Sequence, residues 1–379
     1  MPVIAFALFL VLAPALARAG TPTSCGSPAA MSDGWPVSSP EQQGLDPKLI
    51  CAIGPGFEHW KQADPQGVVV VRHGVLVYER YFALGDELSP GEVQGEEPRD
   101  ASTTHDVASI TKSVTALLTG IAFDRGWLKD LDAPIFSFFP QYADLRTPEK
   151  DRITLRHLLT MTSGFVWPES SLSYNNSANI SRRMGASSDT VRFLLEQPLA
   201  APPGTVWNYN SGGVELLGII LAKASGRLLD QVAKSALFDP LGITDWQPGT
   251  AAAGLQLRPR DLAKIGQLVL DHGDWHGRRM VSAAWIKEMT APQVPPGSLS
   301  GAAGAYSYGY LWWLGRSATQ DSDIDWVAGF GWGGQRLYVV PSQDLVVAVI
   351  AGVRMGGASQ DLAGDAALND FVLPAAFMH

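Results

Sequence analysis

Residues 106–120, DVASITKSVTALLTG, combine an apolar helical pattern with a serine and a lysine near its start. Apolar residues repeat at intervals of three and four, which predicts a helix with one stripe packed into a core: Val107, Ile110, Val114, Leu117 and Ile121. Ser109 and Lys112 are three residues apart, so such a helix holds their side chains one turn from each other on one face. The stretch therefore predicts a buried helix that carries a serine–lysine pair.

This pair has a chemical interpretation and a plain one. Burial makes an amine costly to keep charged, and an uncharged amine beside a hydroxyl is a general base beside a nucleophile. A helix N-terminus adds positive potential that favours an alkoxide and a later oxyanion. In the plain interpretation, Lys112 extends into solvent past an ordinary serine. The chemical interpretation is favoured because no other lysine of the chain has a serine three residues before it.

Strand and helix patterns surround this stretch in three zones. Residues 67–82, GVVVVRHGVLVYERYF, predict a β-hairpin that turns at His73 and Gly74. Helical spacing dominates the middle of the chain, and β-rich runs return near its end, at 308–315, 335–341 and 344–353, before a helical stretch at 362–377. The segment 291–309, rich in Pro, Gly and Ser, predicts a surface loop.

These zones predict an α+β fold in which an antiparallel sheet is flanked by helices and a helical domain is inserted. Residues 20–130 and 251–379 are expected to form the sheet domain, and residues 131–250 the helical domain. At 379 residues the chain is long enough for both.

The N-terminus and the charge balance indicate where the protein acts. Residues 1–19 hold a short apolar run that ends in Ala17-Arg18-Ala19, which predicts a cleaved signal peptide and a periplasmic or secreted protein. A retained anchor is the alternative; after cleavage no membrane contact is expected. The net charge of −9 argues against nucleic acid as a partner. The sequence does not indicate an oligomeric state.

Cysteine and histidine usage gives no sign of a metal centre. Cys25 and Cys51 are the only cysteines, and they either form a disulfide, as an oxidising compartment allows, or remain two thiols. His272 and His276 are separated by Gly273 in a predicted turn, so no metal site is expected there. No phosphate-binding or dinucleotide fingerprint follows a predicted strand, and no cofactor is expected.

The serine–lysine pair and two later motifs resemble the serine β-lactamase and penicillin-binding-protein superfamily, in its class C and esterase-like branch. The second motif is PPGTVWNYNSGGVELLG, residues 202–218. The resemblance implies that Tyr209 relays the proton of the Ser109 hydroxyl to the leaving group and that Ser211 holds Lys112 and Tyr209 in place. Tyr174, in Tyr174-Asn175-Asn176, also fits the short pattern; it is expected at the rim of the site, with a substrate-closing role or as plain surface.

The third motif departs from the β-lactamases, because the chain has no Lys-Thr-Gly or Lys-Ser-Gly. AGFGWGGQRLYVVP, residues 328–341, stands in its place, with Gly329-Phe330-Gly331 at the motif position. The resemblance implies an oxyanion hole formed by the backbone N–H groups of Ser109 and Trp332. A shifted register would assign Gln335 instead. The glycines would let substrate approach the strand closely, or would simply form a hairpin turn.

The resemblance implies the function as well as the fold. Without the motif lysine, the cation that binds the carboxylate of a β-lactam is missing, and the chain looks more like the 6-aminohexanoate-dimer hydrolase and carboxylesterase members. We therefore expect hydrolysis of a small-molecule amide or ester through an acyl-enzyme. Four aromatic residues would form an acyl pocket or belong to the core: Trp312, Trp313, Phe330 and Trp332. The alternatives are a true β-lactamase or D-Ala-D-Ala carboxypeptidase, and a non-catalytic binding or sensor module.

Overall fold

A computed structural model describes residues 24–58, 60, 64–82, 99–294, 299, 301–319, 323–352 and 362–377. The predicted signal peptide, residues 1–19, lies outside the described residues. Within the described ranges, no helix has the length and apolar character needed to cross a membrane.

A seven-stranded antiparallel sheet forms the centre of the molecule, with the order β2-β1-β12-β11-β10-β9-β8. Its strands are β1 (Asp64–Arg72), β2 (Val75–Tyr81), β8 (Ser307–Tyr308), β9 (Trp313–Ala318), β10 (Asp323–Gly331), β11 (Gln335–Val340) and β12 (Leu345–Gly352). Five short strands lie outside it: β3 (His105–Asp106), β4 (Trp246–Gln247), β5 (Gln256–Leu257), β6 (Asp274–Trp275) and β7 (Arg278–Arg279). The N-terminal hairpin pairs with the last strand, because Val68 of β1 lies opposite Val349 of β12.

Helices cover both faces of the sheet. They are α1 (Pro47–Glu58), α2 (Ile110–Asp124), α3 (Leu155–Leu159), α4 (Ile180–Gly185), α5 (Thr190–Leu195), α6 (Ser211–Ser225), α7 (Leu229–Ala233), α8 (Pro259–Leu270), α9 (Ala283–Met289), α10 (Leu362–Ala366) and α11 (Leu373–Phe377). One face packs against α2 and α8, and the other against α1, α10 and α11. Successive side chains of a strand point to opposite faces, so alternate valines of β1 enter the two cores. This explains the unbroken apolar run of β1, which is buried on both sides.

The predicted α+β class, with an antiparallel sheet flanked by helices, is confirmed, and the hairpin of residues 67–82 is present as β1 and β2. The helix expected from residue 106 begins later, at Ile110. Asp106 belongs to β3, and Ala108 has a φ of 49°, which a helix does not allow. The helices α3 to α7 fall within residues 131–250, whose separation as a domain stays a prediction.

Two other expectations are decided by the structure. Of the two alternatives for the cysteines, the disulfide is present: Cys25 is bonded to Cys51 of α1 and ties the N-terminal segment to that helix. The predicted surface loop at 291–309 is not wholly irregular, because β8 lies within it; residues 295–298 and 300 are outside the described residues.

Candidate active site

Ser109 and Lys112 meet at the start of α2, as their spacing predicts. The Lys112 amine lies 3.0 Å from Ser109 Oγ and donates a second hydrogen bond to the carbonyl of Ala252 at 2.8 Å. Only 2% of Lys112 is exposed, so the plain interpretation, in which its amine extends into solvent, is wrong. The two side chains meet because they lie one helical turn apart. The amine is held in place by the carbonyl of Ala252, which lies 140 residues further along the chain.

The turn before Ser109 is held in an unusual backbone conformation. Ala108 lies in the left-handed region that residues other than glycine rarely adopt. Its N–H donates to Asp106 Oδ1 at 2.7 Å, and its carbonyl accepts from the Thr111 hydroxyl at 2.6 Å. Such a conformation persists only where its surroundings enforce it. These two hydrogen bonds deliver Ser109 to the N-cap position of α2, with its backbone N–H at the positive end of the helix.

Tyr209 joins the pair from the segment before α6. Its ring centroid lies 4.9 Å from the Lys112 amine. The half-buried ring also stacks on Trp313, with centroids 6.3 Å apart and an interplanar angle of 21°. It packs against the Trp207 ring as well, at a centroid distance of 6.2 Å. The structure therefore brings Ser109, Lys112 and Tyr209 together, and aromatic packing fixes the plane of the tyrosine.

Ser211 does not make the contacts expected of it, and Tyr174 shares its hydrogen-bond acceptor. The Ser211 hydroxyl donates to Glu169 Oε1 at 2.8 Å rather than to Lys112 or Tyr209. The Tyr174 hydroxyl donates to the same oxygen, also at 2.8 Å. Burial raises the pKa of the Tyr174 phenol well above its ordinary value, and the charge of Glu169 raises it further. Tyr174 is therefore a neutral donor at neutral pH.

Glu169 is the residue of this region that the sequence did not indicate. Its side chain is fully buried, although it lies in a polar stretch, WPESS at 167–171, that is typical of an exposed loop. An acidic residue in such a stretch gives no sign that later residues will cover it.

The third motif forms the hairpin between β10 and β11. Gly331 ends β10 and pairs with Gln335, which begins β11, and Trp332 follows Gly331 directly. A side chain at Gly331 would place its Cβ 2.5 Å from the carbonyl oxygen of Val107, and one at Gly329 would place it 2.8 Å from Ile110. Both glycines thus let β10 approach the start of α2. Trp332, at 45% exposed, directly follows Gly331, whose backbone lies against the turn that leads to Ser109.

The side chain of Gln335 makes hydrogen bonds within the sheet. Its side-chain amide donates to the carbonyl of Ala351 and accepts from the N–H of the same residue at 3.2 Å, which ties β11 to β12. Its backbone belongs to the β10–β11 pairing. The shifted register, which would use Gln335 in the oxyanion hole, has no support in this arrangement, and the N–H of Trp332 stays the predicted donor.

The four aromatic residues of the predicted acyl pocket have different surroundings. Trp312 is fully buried and belongs to the core, and Trp332 is exposed. Trp313 and Phe330 are half-buried and stack on each other, with centroids 5.4 Å apart. Since Trp313 also stacks on Tyr209, this pair extends an aromatic surface from the tyrosine.

His272 and His276, the two histidines considered as ligands, lie in turns on either side of the short strand β6. Both His272 and His276 have a φ of 52°, in the turn that the sequence predicts. In the described part of the chain, no group of three or more His, Cys, Asp or Glu side chains is placed to hold a metal ion.

The chain belongs to the Beta-lactamase family, whose family model matches residues 66–367. It is 29% identical over 189 residues to esterase EstB of Burkholderia gladioli, which covers 47% of this chain and 45% of that protein. It is 26% identical over 264 residues to the 6-aminohexanoate-dimer hydrolase of Paenarthrobacter ureafaciens, which covers 64% of each chain.

Among solved structures, the penicillin-binding protein from Bacillus halodurans has the same fold, with a TM-score of 0.61 and 17% identity over 84% of this chain and 99% of that one. The chain spans about half the length of the first curated relatives that it matches. The likeness establishes family and fold, and the activity of this chain has to be argued from its own residues.

Proposed function

We propose that this protein is a serine hydrolase that cleaves an amide or ester bond through an acyl-enzyme. The observation that carries the proposal is the buried Lys112 amine at 3.0 Å from Ser109 Oγ. An amine at hydrogen-bond distance from a hydroxyl, shielded from water, is the arrangement of a base and its nucleophile. Relatives named as an esterase and as a dimer hydrolase support the same class of reaction.

In the proposed mechanism Lys112 accepts the hydroxyl proton while Ser109 Oγ attacks the substrate carbonyl. The Tyr209 hydroxyl gives its proton to the departing alcohol or amine as that group's bond to the acyl carbon breaks, and it takes the serine proton from Lys112 in return. Water then attacks the acyl-enzyme and releases the acid, and Ser109 regains its proton. The Lys112 hydrogen bond to Ala252 supports this role, because it holds the amine beside Oγ throughout.

The negative charge on the substrate oxygen needs donors that are already in place. We assign this role to the backbone N–H groups of Ser109 and Trp332, since β10 ends against the turn before α2. Removing one such donor typically costs on the order of 10²–10³ in kcat. The N-terminus of α2 adds favourable potential at the same place.

The proposed substrate is a small-molecule amide or ester without a required carboxylate, because the third motif is Gly-Phe-Gly and brings no cation. β-Lactam or D-Ala-D-Ala substrates remain the alternative activity, and binding without catalysis is the non-enzymatic alternative. The disulfide and the apolar N-terminal run support a periplasmic or secreted location.

Intact-mass spectrometry after exposure to a fluorophosphonate tests the nucleophile. We expect one adduct on the wild type, none on Ser109→Ala, and an unchanged adduct on Ser113→Ala, which removes a buried serine of α2. Turnover of a p-nitrophenyl ester compared with a chromogenic cephalosporin then separates an esterase from a β-lactamase. An adduct on another serine, or none, would contradict the assignment.

A further inference from the structure

The carboxylate of Glu169 is fully buried beside the first turn of α6. Its Oε1 accepts hydrogen bonds from the hydroxyls of Tyr174 and Ser211, both at 2.8 Å. Its Oε2 accepts from the Trp167 indole N–H and from the Ser211 backbone N–H, both at 2.6 Å. Each oxygen therefore has two donors, and the donors come from three residues: Trp167 and Tyr174, close to Glu169 in sequence, and Ser211, 42 residues further along the chain.

The four donors are neutral groups, so hydrogen bonds and the helix have to stabilise the charge. Hydrogen bonds to a carboxylate are about twice as strong as bonds between neutral groups. The Ser211 N–H is one of the donors that an α-helix leaves unpaired at its start. A negative charge at that end is also favoured by the helix dipole. Glu169 and the first turn of α6 thus stabilise each other.

The first turn of α6 connects this carboxylate to the active site. Tyr209 lies two residues before Ser211, and its ring reaches the Lys112 amine. The Trp167 ring, which donates to Glu169, lies against Gly212, where a Cβ would stand 2.6 Å from the ring. The carboxylate and the indole together therefore fix the backbone immediately after Tyr209.

We propose that Glu169 is a positioning residue of this site. Its carboxylate holds Ser211 and the start of α6, and through them sets the Tyr209 hydroxyl at the place from which it protonates the leaving group. The inference rests on the proposed function, because it needs Tyr209 as the proton donor. It also gives Ser211 a role that differs from direct contact with the lysine and the tyrosine.

The leaving group distinguishes positioning from folding. p-Nitrophenolate leaves without a proton, whereas an alkoxide needs one, so p-nitrophenyl butyrate and ethyl butyrate differ in their demand on Tyr209. Glu169→Gln keeps the size of the side chain but turns one acceptor into a donor that faces two donors. A misplacement of about 1 Å can cost on the order of 10²-fold, so we expect kcat/KM for the ethyl ester to fall about 10- to 100-fold more than for the p-nitrophenyl ester.

Glu196→Gln is the matched control, because this exposed carboxylate pairs with Arg192 and has no contact with the site. It is expected to leave both rates unchanged. Equal losses of Glu169→Gln on both esters, or no loss, would overturn the proposal, since a merely structural role lowers both rates together. If Glu169→Gln does not fold, Ser211→Ala removes one donor and is expected to give a smaller change of the same selective kind; a non-selective change contradicts the proposal.

Hydrogen exchange gives a readout that does not depend on activity. In Glu169→Gln, amides in the first turn of α6 are expected to exchange faster, while those of the sheet keep their protection. Unchanged exchange at α6 would overturn the positioning role. If the wild type hydrolyses no ester, or if Ser109→Ala is fully active, the proposed function fails instead. The exchange result would then show only whether Glu169 holds the start of α6.

Discussion

Lys112 is the residue on which the proposed chemistry depends most directly. Its amine has two partners, one that it would deprotonate and one that only holds it. General base catalysis by a positioned side chain contributes about 10²–10⁴-fold. We therefore expect Lys112→Met to lower kcat for an ester by a factor in that range, with KM changed less, as measured by steady-state kinetics.

A lysine with a similar hydrogen bond provides the control for this prediction. Lys150 also donates to a backbone carbonyl, that of Leu195, and has no contact with the site. Lys150→Met should cost about 1 kcal/mol of stability through the lost hydrogen bond and leave kcat unchanged. Equal activity of Lys112→Met and the wild type would show that Ser109 is activated in another way.

At the scale of single residues, sequence and structure agree where local spacing decides the contact. The distance of three residues between Ser109 and Lys112 is sufficient to predict their meeting, because a helix sets it. Contacts that depend on tertiary structure could not be predicted from spacing. Neither the Ala252 carbonyl nor the buried Glu169 has a pattern of its own, since each depends on chain segments far away in sequence.

At the scale of secondary-structure elements, the contact between β10 and the start of α2 affects both the stability of the protein and the geometry of the site. A Cβ at Gly331 would meet the carbonyl oxygen of Val107, which is backbone and has little freedom to move. Overpacking of this kind typically costs about 1–3 kcal/mol. Gly331→Ala should therefore lower the urea midpoint and, by displacing the turn before Ser109, lower kcat as well.

Gly185→Ala is the control for that substitution. Gly185 ends α4, and an added Cβ there has no atom within 4 Å. Its activity should match that of the wild type, and its stability should be equal or up to about 1 kcal/mol higher, because alanine favours the helix. A Gly331→Ala protein with the wild-type midpoint and kcat would mean that the strand and the turn are not in the close contact described.

Helices and strands whose apolar residues repeat at a regular spacing were predictable from the sequence. Those in which glycine, proline or buried charged residues interrupt that spacing were not. The hairpin of β1 and β2 and the helix α6 follow their apolar patterns. Helix α1 contains Gly54-Pro55-Gly56, which signals a loop in most sequences. Helix α8 buries charged residues: Asp261 pairs with Arg258 and Lys264, each three residues away, whereas Arg260 pairs with Asp33 and Glu79, far away in sequence. No single-sequence period reveals such pairing.

One buried histidine gives the stability of the whole molecule a pH-dependent contribution. Burial is the main cause that lowers the pKa of the His105 imidazole to about 4, and the charge of Arg99 is the smaller cause of the same shift. The unfolded chain binds this proton at a pKa of about 6.5. Stability from this group is complete above pH 6.5 and is lost as the pH falls toward 4. With about 1.4 kcal/mol for each pKa unit, the loss reaches about 3 kcal/mol.

His105→Phe removes the titration and keeps a ring of similar shape. Urea unfolding of wild type and variant between pH 7 and pH 4 should show a free energy of unfolding that declines less in the variant, by about 3 kcal/mol. His276→Asn, at an exposed turn, should follow the wild type. Parallel curves for His105→Phe and the wild type would show that the pKa of the His105 imidazole in the folded protein is the same as in the unfolded chain.

The hydrogen bond from Lys112 to Ala252 has a consequence for protein synthesis. During translation, Ser109, Lys112 and Tyr209 leave the ribosome before Ala252 and Trp332 have been made. A nascent chain thus holds the proposed nucleophile, base and proton donor without the carbonyl that secures the amine or the strand end proposed to bind the oxyanion. Reactivity toward acyl compounds would then arise only in the finished polypeptide, when the C-terminal third docks against the N-terminal third.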